Sequence, residues 1–188
     1  MSEREQVVLL DIMGEPEGVA YKDEVHSTKT PLHLAFSAWL FDAEGNVLVT
    51  RRALSKKTFP GVWTNSFCGH PAPGEEIPDA IRRRARDEIN LSSDFIAEVR
   101  EVVPDFRYRA VDSSGQVENE VCPVFAVRMH EGASLSPNPE EVDAYVWVEP
   151  QKLLAAVDAT PWAFSPWFSL ELQDTRLRSV LERVEPQR

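Results

Sequence analysis

Short apolar segments separated by turn residues run through the first half of the chain. Residues 34–41 are apolar and aromatic, and the turn-forming segment 42–46 separates them from the apolar residues 47–50. Two such runs joined by a short polar turn are typical of a β-hairpin. Pro60 and Gly61 mark a further turn before residues 62–67, which we expect to form the next strand.

The second half of the chain continues the strand pattern. Residues 106–110 alternate with a period of two, and a polar turn at 112–115 leads into a second apolar stretch at 117–127. A last strand is predicted at 144–148. Alternation with a period of two places successive side chains on opposite faces of a sheet.

Helical periodicity is clearest over residues 78–89. Ile77, Ala80, Ile81, Ala85 and Ile89 recur on one face, and Pro78 suits a first helical turn. Further helices are predicted at 151–157 and 168–184. Strands interspersed with a few helices predict an α+β fold, an α/β/α sandwich in which helices flank a mixed sheet.

Composition narrows the class of protein. The chain has 188 residues, which suits one domain spanning residues 1–188. With 20 basic and 31 acidic residues, its net charge of -11 argues against a nucleic acid or an anionic membrane as partner. Residues 51–109, however, hold 11 basic and 9 acidic residues. This segment is either a mixed solvated surface or a site for a small anion.

Targeting signals and cysteine content indicate the compartment. No signal-like or membrane-length apolar segment is visible, and only Cys68 and Cys122 are present. We therefore expect a cytoplasmic protein in a reducing environment. The sequence is compatible with a monomer and with a homodimer.

Histidine and glutamate form the first candidate site. His26, His33 and His70 are three of only four histidines, and Glu118 and Glu120 are two residues apart on a predicted strand, so they share a face. If both carboxylates face the interior, they repel each other unless a cation or a proton shared between them reduces the repulsion. Three imidazoles and two carboxylates could bind Mn²⁺, Mg²⁺ or Zn²⁺. The spacing does not decide between such a site and an edge strand with both acids in water.

Basic residues form the second candidate site. Arg and Lys at 51–52, 56–57 and 82–84 can clamp phosphate oxygens. Arg84 and Glu88 are i,i+4 neighbours on the predicted helix. They are either an ordinary surface pair, or Arg84 contacts a diphosphate whose Mg²⁺ is bound by Glu88.

Residues 69–91 match the Nudix signature, G-x5-E-x7-R-E-U-x-E-E-x-G-U, in which U is aliphatic. The matching positions are Gly69, Glu75, Arg83, Ala85, Glu88 and Leu91. Three positions depart, because Arg84 replaces an acid, Asp87 a glutamate and Asn90 a glycine. Nudix hydrolases use clustered acids to bind metals that activate water. The exchange of an acid for Arg84 weakens hydrolysis as an interpretation and keeps diphosphate binding.

Longer motifs extend the match from about residue 22 to residue 167. They are HLAFS at 33–37, RRALSKK at 51–57, PGVWTNSFCGHP at 60–71, DFRYR at 105–109, ENEVCP at 118–123 and ATPWAFSPW at 159–167. With these motifs the chain resembles the type 1 isopentenyl diphosphate isomerases, which share the Nudix-like fold.

The resemblance implies a role for each matching residue. The metal ligands fall on His26, His33, His70, Glu118 and Glu120. The catalytic groups fall on Cys68 and Glu120, with Tyr108 in support. The residue that holds the Mg²⁺ of the diphosphate falls on Glu88. The diphosphate contacts fall on Lys22, Arg52, Lys56 and Arg84, and the tryptophan beside the hydrocarbon falls on Trp162.

The reaction that the resemblance implies is the reversible 1,3-allylic rearrangement of isopentenyl diphosphate to dimethylallyl diphosphate, a step of isoprenoid biosynthesis. Two alternatives are distinguishable by experiment. A Nudix-type diphosphohydrolase would release phosphate from the substrate. A non-catalytic metal-binding or diphosphate-binding module would bind without turnover and would tolerate loss of Cys68.

Overall fold

The structure is a computed structural model, and it describes residues 4–183. The strands, in chain order, are β1 (Gln6–Leu10), β2 (Pro16–Tyr21), β3 (His33–Leu34), β4 (Phe36–Phe41), β5 (Val47–Arg52), β6 (Trp63–Thr64), β7 (Phe67–Gly69), β8 (Ile96–Val103), β9 (Arg107–Val111), β10 (Val117–Val121), β11 (Val124–Met129) and β12 (Val142–Val148). The α-helices are α1 (Lys22–Val25), α2 (Ile77–Ile89), α3 (Pro150–Ala159), α4 (Pro166–Glu171) and α5 (Thr175–Glu182). Short 3-10 turns occupy Ser93–Phe95 and Pro161–Ala163.

The strands form two mixed sheets. The first has the order β2-β1-β3-β10-β9, and the second has β12-β5-β4-β11-β8, with β6 beside β5 and β7 beside β4. β10 runs parallel to β3, and β11 runs parallel to β4, whereas the other pairs are antiparallel. The predicted α+β class with helices flanking a mixed sheet is confirmed.

The chain crosses from the first sheet to the second at two adjacent places. Ala35 links β3 to β4, and Cys122 and Pro123 link β10 to β11. Hydrogen bonds join the two crossings, because the Ala35 amide donates to the Val121 carbonyl at 2.9 Å and the Ser37 amide donates to the Pro123 carbonyl at 3.0 Å. The sequence predicted one strand over 117–127. Pro123 lacks an N–H and cannot continue the ladder of β10, so the stretch forms two strands.

The second sheet carries the core on both faces. Alternate residues of β4 point in opposite directions: Phe36 and Leu40 pack towards α2, and Trp39 and Phe41 pack towards α3, α4 and α5. All six residues of this strand are buried. Helices therefore cover both faces of the sheet, as the sandwich prediction requires.

Helix α2 begins and ends close to the predicted limits. Its apolar stripe of Ala80, Ile81, Ala85 and Ile89 is buried against the sheet. Asn90 caps the helix in the left-handed conformation, at φ 54°. Its amide donates to the Arg86 carbonyl at 3.0 Å, and the Leu91 amide donates to the Ala85 carbonyl at 3.1 Å. Asparagine tolerates this conformation better than most residues. Asn90 can therefore replace the glycine of the Nudix signature at this position.

Three parts of the structure differ from the prediction. The helix predicted at 168–184 is interrupted after Glu171, where Asp174 begins α5 as an N-cap that accepts from the Arg176 amide at 2.8 Å; residue 184 lies outside the described part. The strand predicted at 62–67 is divided into β6 and β7. Strands β1, β2 and β8 and helix α1 were not predicted. The side chains of β2 are mostly exposed and half of those of β8 are exposed, so neither strand shows a clear alternation.

Candidate active site

Strand register places Glu120 between two other polar side chains. In the first sheet Glu120 of β10 is paired with His33 of β3 on one side and with Tyr108 of β9 on the other. The Tyr108 hydroxyl donates to Glu120 Oε2 at 2.9 Å. His33 Nε2 lies 3.3 Å from Glu120 Oε1. Side chains opposite one another on adjacent strands share a face, so this cluster follows directly from the strand pairing.

The three predicted histidines come together beside Glu120. One ligand atom from each of His26, His33, His70 and Glu120 lies within 4.8 Å of the others. The His33 and His70 ring centroids are 5.1 Å apart, and those of His26 and His33 are 5.2 Å apart. His33 Nδ1 lies 3.0 Å from the Pro31 carbonyl oxygen, so its Nε2 faces the cluster.

Glu118 lies beside His26 but is not one of the four residues whose ligand atoms lie within 4.8 Å of one another. Glu118 Oε2 lies 2.9 Å from His26 Nε2. Both atoms are buried, and neither has a hydrogen-bond partner of suitable geometry among the described residues. His33 Nε2 is likewise buried without a hydrogen bond among the described residues. Buried polar atoms rarely lack a partner. Three such atoms that converge fit a divalent ion, since imidazole nitrogen and carboxylate oxygen are suitable ligands.

The protonation states of His70 and Glu120 suit metal binding. Burial opposes protonation of His33, but the Glu120 carboxylate outweighs it and raises the pKa of His33. Burial lowers the pKa of His70 to about 3, which keeps its imidazole neutral. Burial opposes ionisation of Glu120, but the nearby imidazoles of His33 and His70 outweigh it and hold the pKa of this carboxyl well below its usual range. Neutral imidazole and ionised carboxylate are the forms that coordinate metals. Burial and the charge of Glu120 raise the pKa of Tyr108, which therefore remains a hydrogen-bond donor.

Cys68 lies on β7 of the second sheet, opposite the histidine cluster. Burial raises the pKa of the Cys68 thiol above its usual range, so the thiol is protonated at neutral pH. Its sulfur lies 3.2 Å from Nδ2 and 3.4 Å from Oδ1 of Asn65. Glu120 and Cys68 thus reach the site from different sheets.

Gly69 permits a close approach between β7 and α2. A Cβ at this position would lie 2.7 Å from Arg84 Cγ and 2.9 Å from Phe36 Cζ. The absence of a side chain lets the stem of Arg84 pass directly over the strand that carries Cys68. The first glycine of the Nudix signature therefore has a packing role here.

Arg83 and Glu75 of the signature tie the loop after β7 to α2. Arg83 donates to Glu75 through Nε at 2.8 Å and through Nη2 at 2.7 Å, and it also donates to the His70 carbonyl at 3.1 Å. Bidentate arginine–carboxylate pairs have a fixed geometry. This pair therefore stabilises the segment that carries His70.

Arg84 and Glu88 are buried rather than exposed. Arg84 donates to Glu88 Oε1 through Nε at 3.0 Å and Nη2 at 2.5 Å, and to Glu141 Oε1 at 3.2 Å. Lys56 also pairs with Glu141. The interpretation of Arg84 and Glu88 as an ordinary surface pair is wrong, because both side chains face the interior of the site.

The remaining predicted cations reach the same region. Lys22 Nζ lies 2.5 Å from Glu5 Oε2, and burial beside the charge of Arg84 lowers the pKa of Lys22. Arg52 donates to the Thr58 carbonyl at 2.8 Å, and its guanidinium carbon lies 5.5 Å from the ring centroid of Trp167. Arg52, from the basic segment 51–109, and Lys22, from outside it, line the same cavity, and the anion site stays a prediction.

One cavity of about 640 Å³ joins these groups. Among the residues predicted from the sequence, its lining comprises Lys22, His26, Arg52, Lys56, Cys68, His70, Arg84, Glu88, Tyr108, Glu118 and Glu120. His33 lies behind the lining with a fully buried side chain. The cavity therefore has histidines and glutamates of a candidate metal site, a thiol and a group of cations in its walls.

Trp162 is the predicted site residue that the structure does not bring into the cavity. It belongs to the 3-10 turn Pro161–Ala163, and its side chain is 82% exposed. Among the described residues the tryptophan that lines the cavity is Trp167, the last residue of the motif at 159–167. Trp167 donates to Asn65 Oδ1 at 3.1 Å and lies 5.6 Å, centroid to centroid, from Tyr108.

Sequence reasoning missed several residues of the site. Glu5 and Glu141 pair with the cations, and Asn65 contacts the thiol. Asn65 lies inside the motif at 60–71, which was a signal for it. The two glutamates lie in segments without any motif, and only the folded structure brings them to the cations.

Comparisons with known proteins extend these observations. Residues 31–168 match the NUDIX domain family. An isopentenyl-diphosphate Delta-isomerase of Corynebacterium glutamicum is 53% identical over 180 residues, which cover 96% of this chain and 95% of that protein. The protein of the same name from Clavibacter sepedonicus is 57% identical over 168 residues, covering 89% of this chain and 86% of that protein.

Solved structures agree on the fold. A crystal structure from Deinococcus radiodurans has a TM-score of 0.66 at 21% identity, covering 90% of this chain and 98% of that one. The Escherichia coli dihydroneopterin triphosphate pyrophosphohydrolase has a TM-score of 0.55 at 13% identity, covering 77% of this chain and 95% of that one. At these identities the likeness concerns the fold alone.

None of the helices within residues 4–183 has the length and apolar character needed to cross a bilayer. The family match covers most of the chain, and the relatives are more than half identical along nearly their whole length. The chain therefore belongs to the NUDIX domain family and, within it, to the isopentenyl-diphosphate Delta-isomerases.

Proposed function

We propose that this chain interconverts isopentenyl diphosphate and dimethylallyl diphosphate, with Cys68 and Glu120 as the two proton-transfer groups. The observation that carries the proposal is that one cavity exposes Cys68 from the second sheet and Glu120 from the first, beside a group of cations. A 1,3-allylic shift needs an acid and a base that reach the substrate from different sides.

The chemistry defines what each group does. One group donates a proton to the terminal methylene carbon of the double bond, which leaves a tertiary carbocation. The other removes a proton from the methylene on the opposite side of that cation, and the double bond forms there. Neutral Cys68 and ionised Glu120 provide one proton donor and one acceptor. Because the reaction is reversible, the same two groups exchange roles in the reverse direction.

The metal site would be formed by His26, His33, His70 and Glu120, whose ligand atoms lie close together, with Glu118 as the fifth proposed ligand beside His26. Its proposed occupant is Mn²⁺, Mg²⁺ or Zn²⁺, which when bound would neutralise the two carboxylates. The protein's own part is to orient Glu120. The Tyr108 hydroxyl donates to Oε2 and leaves Oε1 towards the imidazoles.

The diphosphate end of the substrate would lie at the cations. Lys22, Lys56 and Arg84 each contact a carboxylate of Glu5, Glu141 or Glu88. A bound diphosphate would take the place of part of these contacts, together with the Mg²⁺ that we assign to Glu88. Arg52, which lines the same cavity, is the fourth proposed contact. Binding energy from this end positions the hydrocarbon without taking part in the proton transfers.

The hydrocarbon end would lie against aromatic residues. Tyr108 and Trp167 line the cavity near Cys68 and belong to one buried cluster with it. A carbocation over an aromatic face is stabilised by ~2 kcal/mol or more when water is excluded. The proposed contact with Trp162 stays a prediction, and it would require the 3-10 turn to approach the cavity.

The compartment, domain organisation, oligomeric state and partners of the protein are part of the same proposal. We infer a cytoplasmic enzyme with one domain over residues 1–188, acting as a monomer or homodimer on a small diphosphate, with neither nucleic acid nor membrane as partner. The net charge of -11 supports the exclusion of polyanions.

The test is a product analysis in heavy water. The protein is incubated with isopentenyl diphosphate, Mg²⁺ and Mn²⁺ in D₂O, and both the carbon skeleton and free phosphate are measured. We expect deuterium in intact dimethylallyl diphosphate without phosphate release, and no exchange with Cys68→Ala. Phosphate release without deuterium in the allylic product would instead identify a diphosphohydrolase. Binding without either change would identify a non-catalytic module.

A further inference from the structure

A buried carboxyl group lies behind Cys68, outside the cavity. Glu171, on α4, is 0% exposed. Its Oε2 accepts hydrogen bonds from the Ser37 hydroxyl at 2.9 Å and from Trp39 Nε1 at 2.6 Å. A buried carboxyl with two side-chain donors is rare enough to need an explanation, and the proposed reaction does not use it.

Ser37 links Glu171 to Asn65. The Asn65 side-chain amide donates from Nδ2 to Ser37 Oγ at 2.9 Å. Its Oδ1 accepts from Trp167 Nε1 at 3.1 Å. Because an indole N–H can only donate, Oδ1 must face Trp167, and Nδ2 must face Ser37. The polarity of this chain of hydrogen bonds is therefore determined.

Asn65 reaches the thiol. Nδ2 lies 3.2 Å from the Cys68 sulfur, and Oδ1 lies 3.4 Å from it. Strand pairing supports the same arrangement, because Ser37 of β4 is directly opposite Cys68 of β7. A continuous buried path of side chains thus runs from Glu171 through Ser37 and Asn65 to Cys68.

Glu171 determines where the hydrogens of this path point. The two amide hydrogens of Asn65 face four acceptors, namely Ser37 Oγ, Cys68 Sγ and the carbonyls of Ala38 and Phe67. Ser37 can accept from Asn65 only while its own hydrogen points elsewhere, and Glu171 Oε2 is the acceptor of that hydrogen.

We propose, resting on the function given above, that Glu171 is a positioning residue for Cys68 and acts through Ser37 and Asn65. Its role is to accept from Ser37, so that Asn65 holds the sulfur in one place and orientation. It does not touch substrate. Its second oxygen, Oε1, is buried without a hydrogen bond among the described residues, which disfavours a charged group.

A neutral carboxyl agrees with this role. Burial raises the pKa of Glu171 to about 8, so the group is mostly protonated at neutral pH. A glutamine has a carbonyl oxygen in the same place and can accept the same two hydrogen bonds. The role therefore needs an acceptor of this shape and does not need a charge, which makes Glu171→Gln the conservative variant.

The experiment compares Glu171→Leu, Ser37→Ala and Glu171→Gln with the wild type. The control Leu177→Ala removes a fully buried side chain from the neighbouring helix without touching the path. Two quantities are measured on each: kcat and KM for isopentenyl diphosphate, and the infrared S–H stretch of Cys68, isolated by subtraction of a Cys68→Ser spectrum. The S–H stretch reports hydrogen bonding of the thiol whether or not the protein turns over.

We expect Glu171→Leu and Ser37→Ala to lower kcat by about tenfold to a hundredfold with KM within about twofold, since small displacements of a reacting group are costly. Both should shift the S–H stretch. Glu171→Gln should keep kcat within about threefold and leave the stretch in place, and Leu177→Ala should alter stability alone.

The proposal is overturned if the S–H stretch is the same in Glu171→Leu, Ser37→Ala and the wild type, or if Glu171→Gln is as impaired as Glu171→Leu. If Glu171→Leu fails to fold, Ser37→Ala alone tests the proposal, because it interrupts the path between Glu171 and Asn65 while Glu171 stays in place. A wild type without isomerase activity would refute the proposed function, whereas the S–H stretch would still test the positioning of Cys68.

Discussion

Substitution of Gly69 by alanine tests whether close packing between β7 and α2 positions the site. The added Cβ would lie 2.7 Å from Arg84 Cγ and 2.9 and 3.0 Å from two carbons of the Phe36 ring. Neither neighbour can yield easily. Phe36 is fully buried in the core, and the guanidinium of Arg84 is held by Glu88 and Glu141. The backbone of β7 or of a neighbouring element must therefore shift to accommodate the added methyl group.

The magnitude follows from two opposing effects. Overpacking of a buried site costs ~1–3 kcal/mol. Replacement of glycine by alanine restricts the unfolded chain and offsets ~0.4–1 kcal/mol of that cost. We expect a net loss of about 1–2 kcal/mol in the free energy of unfolding. Because position 69 lies between Cys68 and His70, a displacement of a few tenths of an ångström should also lower kcat/KM by about threefold to tenfold.

Urea unfolding and steady-state isomerase kinetics measure the two effects. The matched control is Gly18→Ala, since a Cβ at that strand position meets only Leu9 Cδ1 at 3.9 Å. We expect Gly18→Ala to be at least as stable as the wild type and fully active. If Gly69→Ala were as stable and as active as Gly18→Ala, the packing argument for this glycine would be refuted.

Four further predictions test other parts of the site. Cys68→Ala and Glu120→Gln should each lower kcat at least about a thousandfold while far-ultraviolet circular dichroism stays that of the wild type; near-normal turnover by either would contradict the proton-transfer assignment. Dialysis against a chelator should remove a divalent ion and lower the midpoint of urea unfolding, with recovery on addition of Mn²⁺; equal stability with and without metal, measured alongside metal content, would speak against the cluster as a metal site. Burial in the folded state raises the pKa of Glu171 from its ordinary value of about 4.5 to about 8, so the folded state binds the extra proton. Stability should therefore fall as pH rises between these values, with a slope of up to ~1.4 kcal/mol per pH unit, and urea titrations from pH 5 to 8 should show a smaller slope in Glu171→Gln. Trp162→Ala should leave stability unchanged because the side chain is exposed, and a fall of about tenfold in kcat/KM would support the predicted contact with the hydrocarbon, whereas unchanged kinetics would exclude it.

The parts of the fold that depend on local pattern could be predicted from the sequence. Helix α2 has a continuous apolar stripe and a proline near its start, and β9 alternates with a period of two. Strands β2 and β8 could not be predicted, because at least half of their side chains are exposed and their pairing depends on distant strands. The break between α4 and α5 depends on the cap formed by Asp174, which is hard to recognise within a helical pattern.

The candidate site was likewise predictable from the sequence only in part. The two-residue spacing of Glu118 and Glu120 predicted a shared face, but only the pairing of β10 with β3 and β9 shows that this face is buried beside His33. Family motifs identified Cys68 and Arg84 without showing what contacts them. Glu171 is separated from Ser37 by 134 positions along the chain, and no local pattern could link them.

The two adjacent crossings between the sheets have a consequence for how this site can change. Glu120 lies on β10, just before one crossing, and Cys68 lies on β7, which pairs with β4 just after the other crossing. Arg4, Glu5 and Lys22 line the cavity from the N-terminal part of the chain, where β2 forms an edge of its sheet. The reacting groups are therefore held by paired strands, whereas part of the cavity wall comes from the N-terminal segment. Substitutions in the first 22 residues could alter which diphosphates enter, or how fast products leave, while the distance between the reacting groups stays the same.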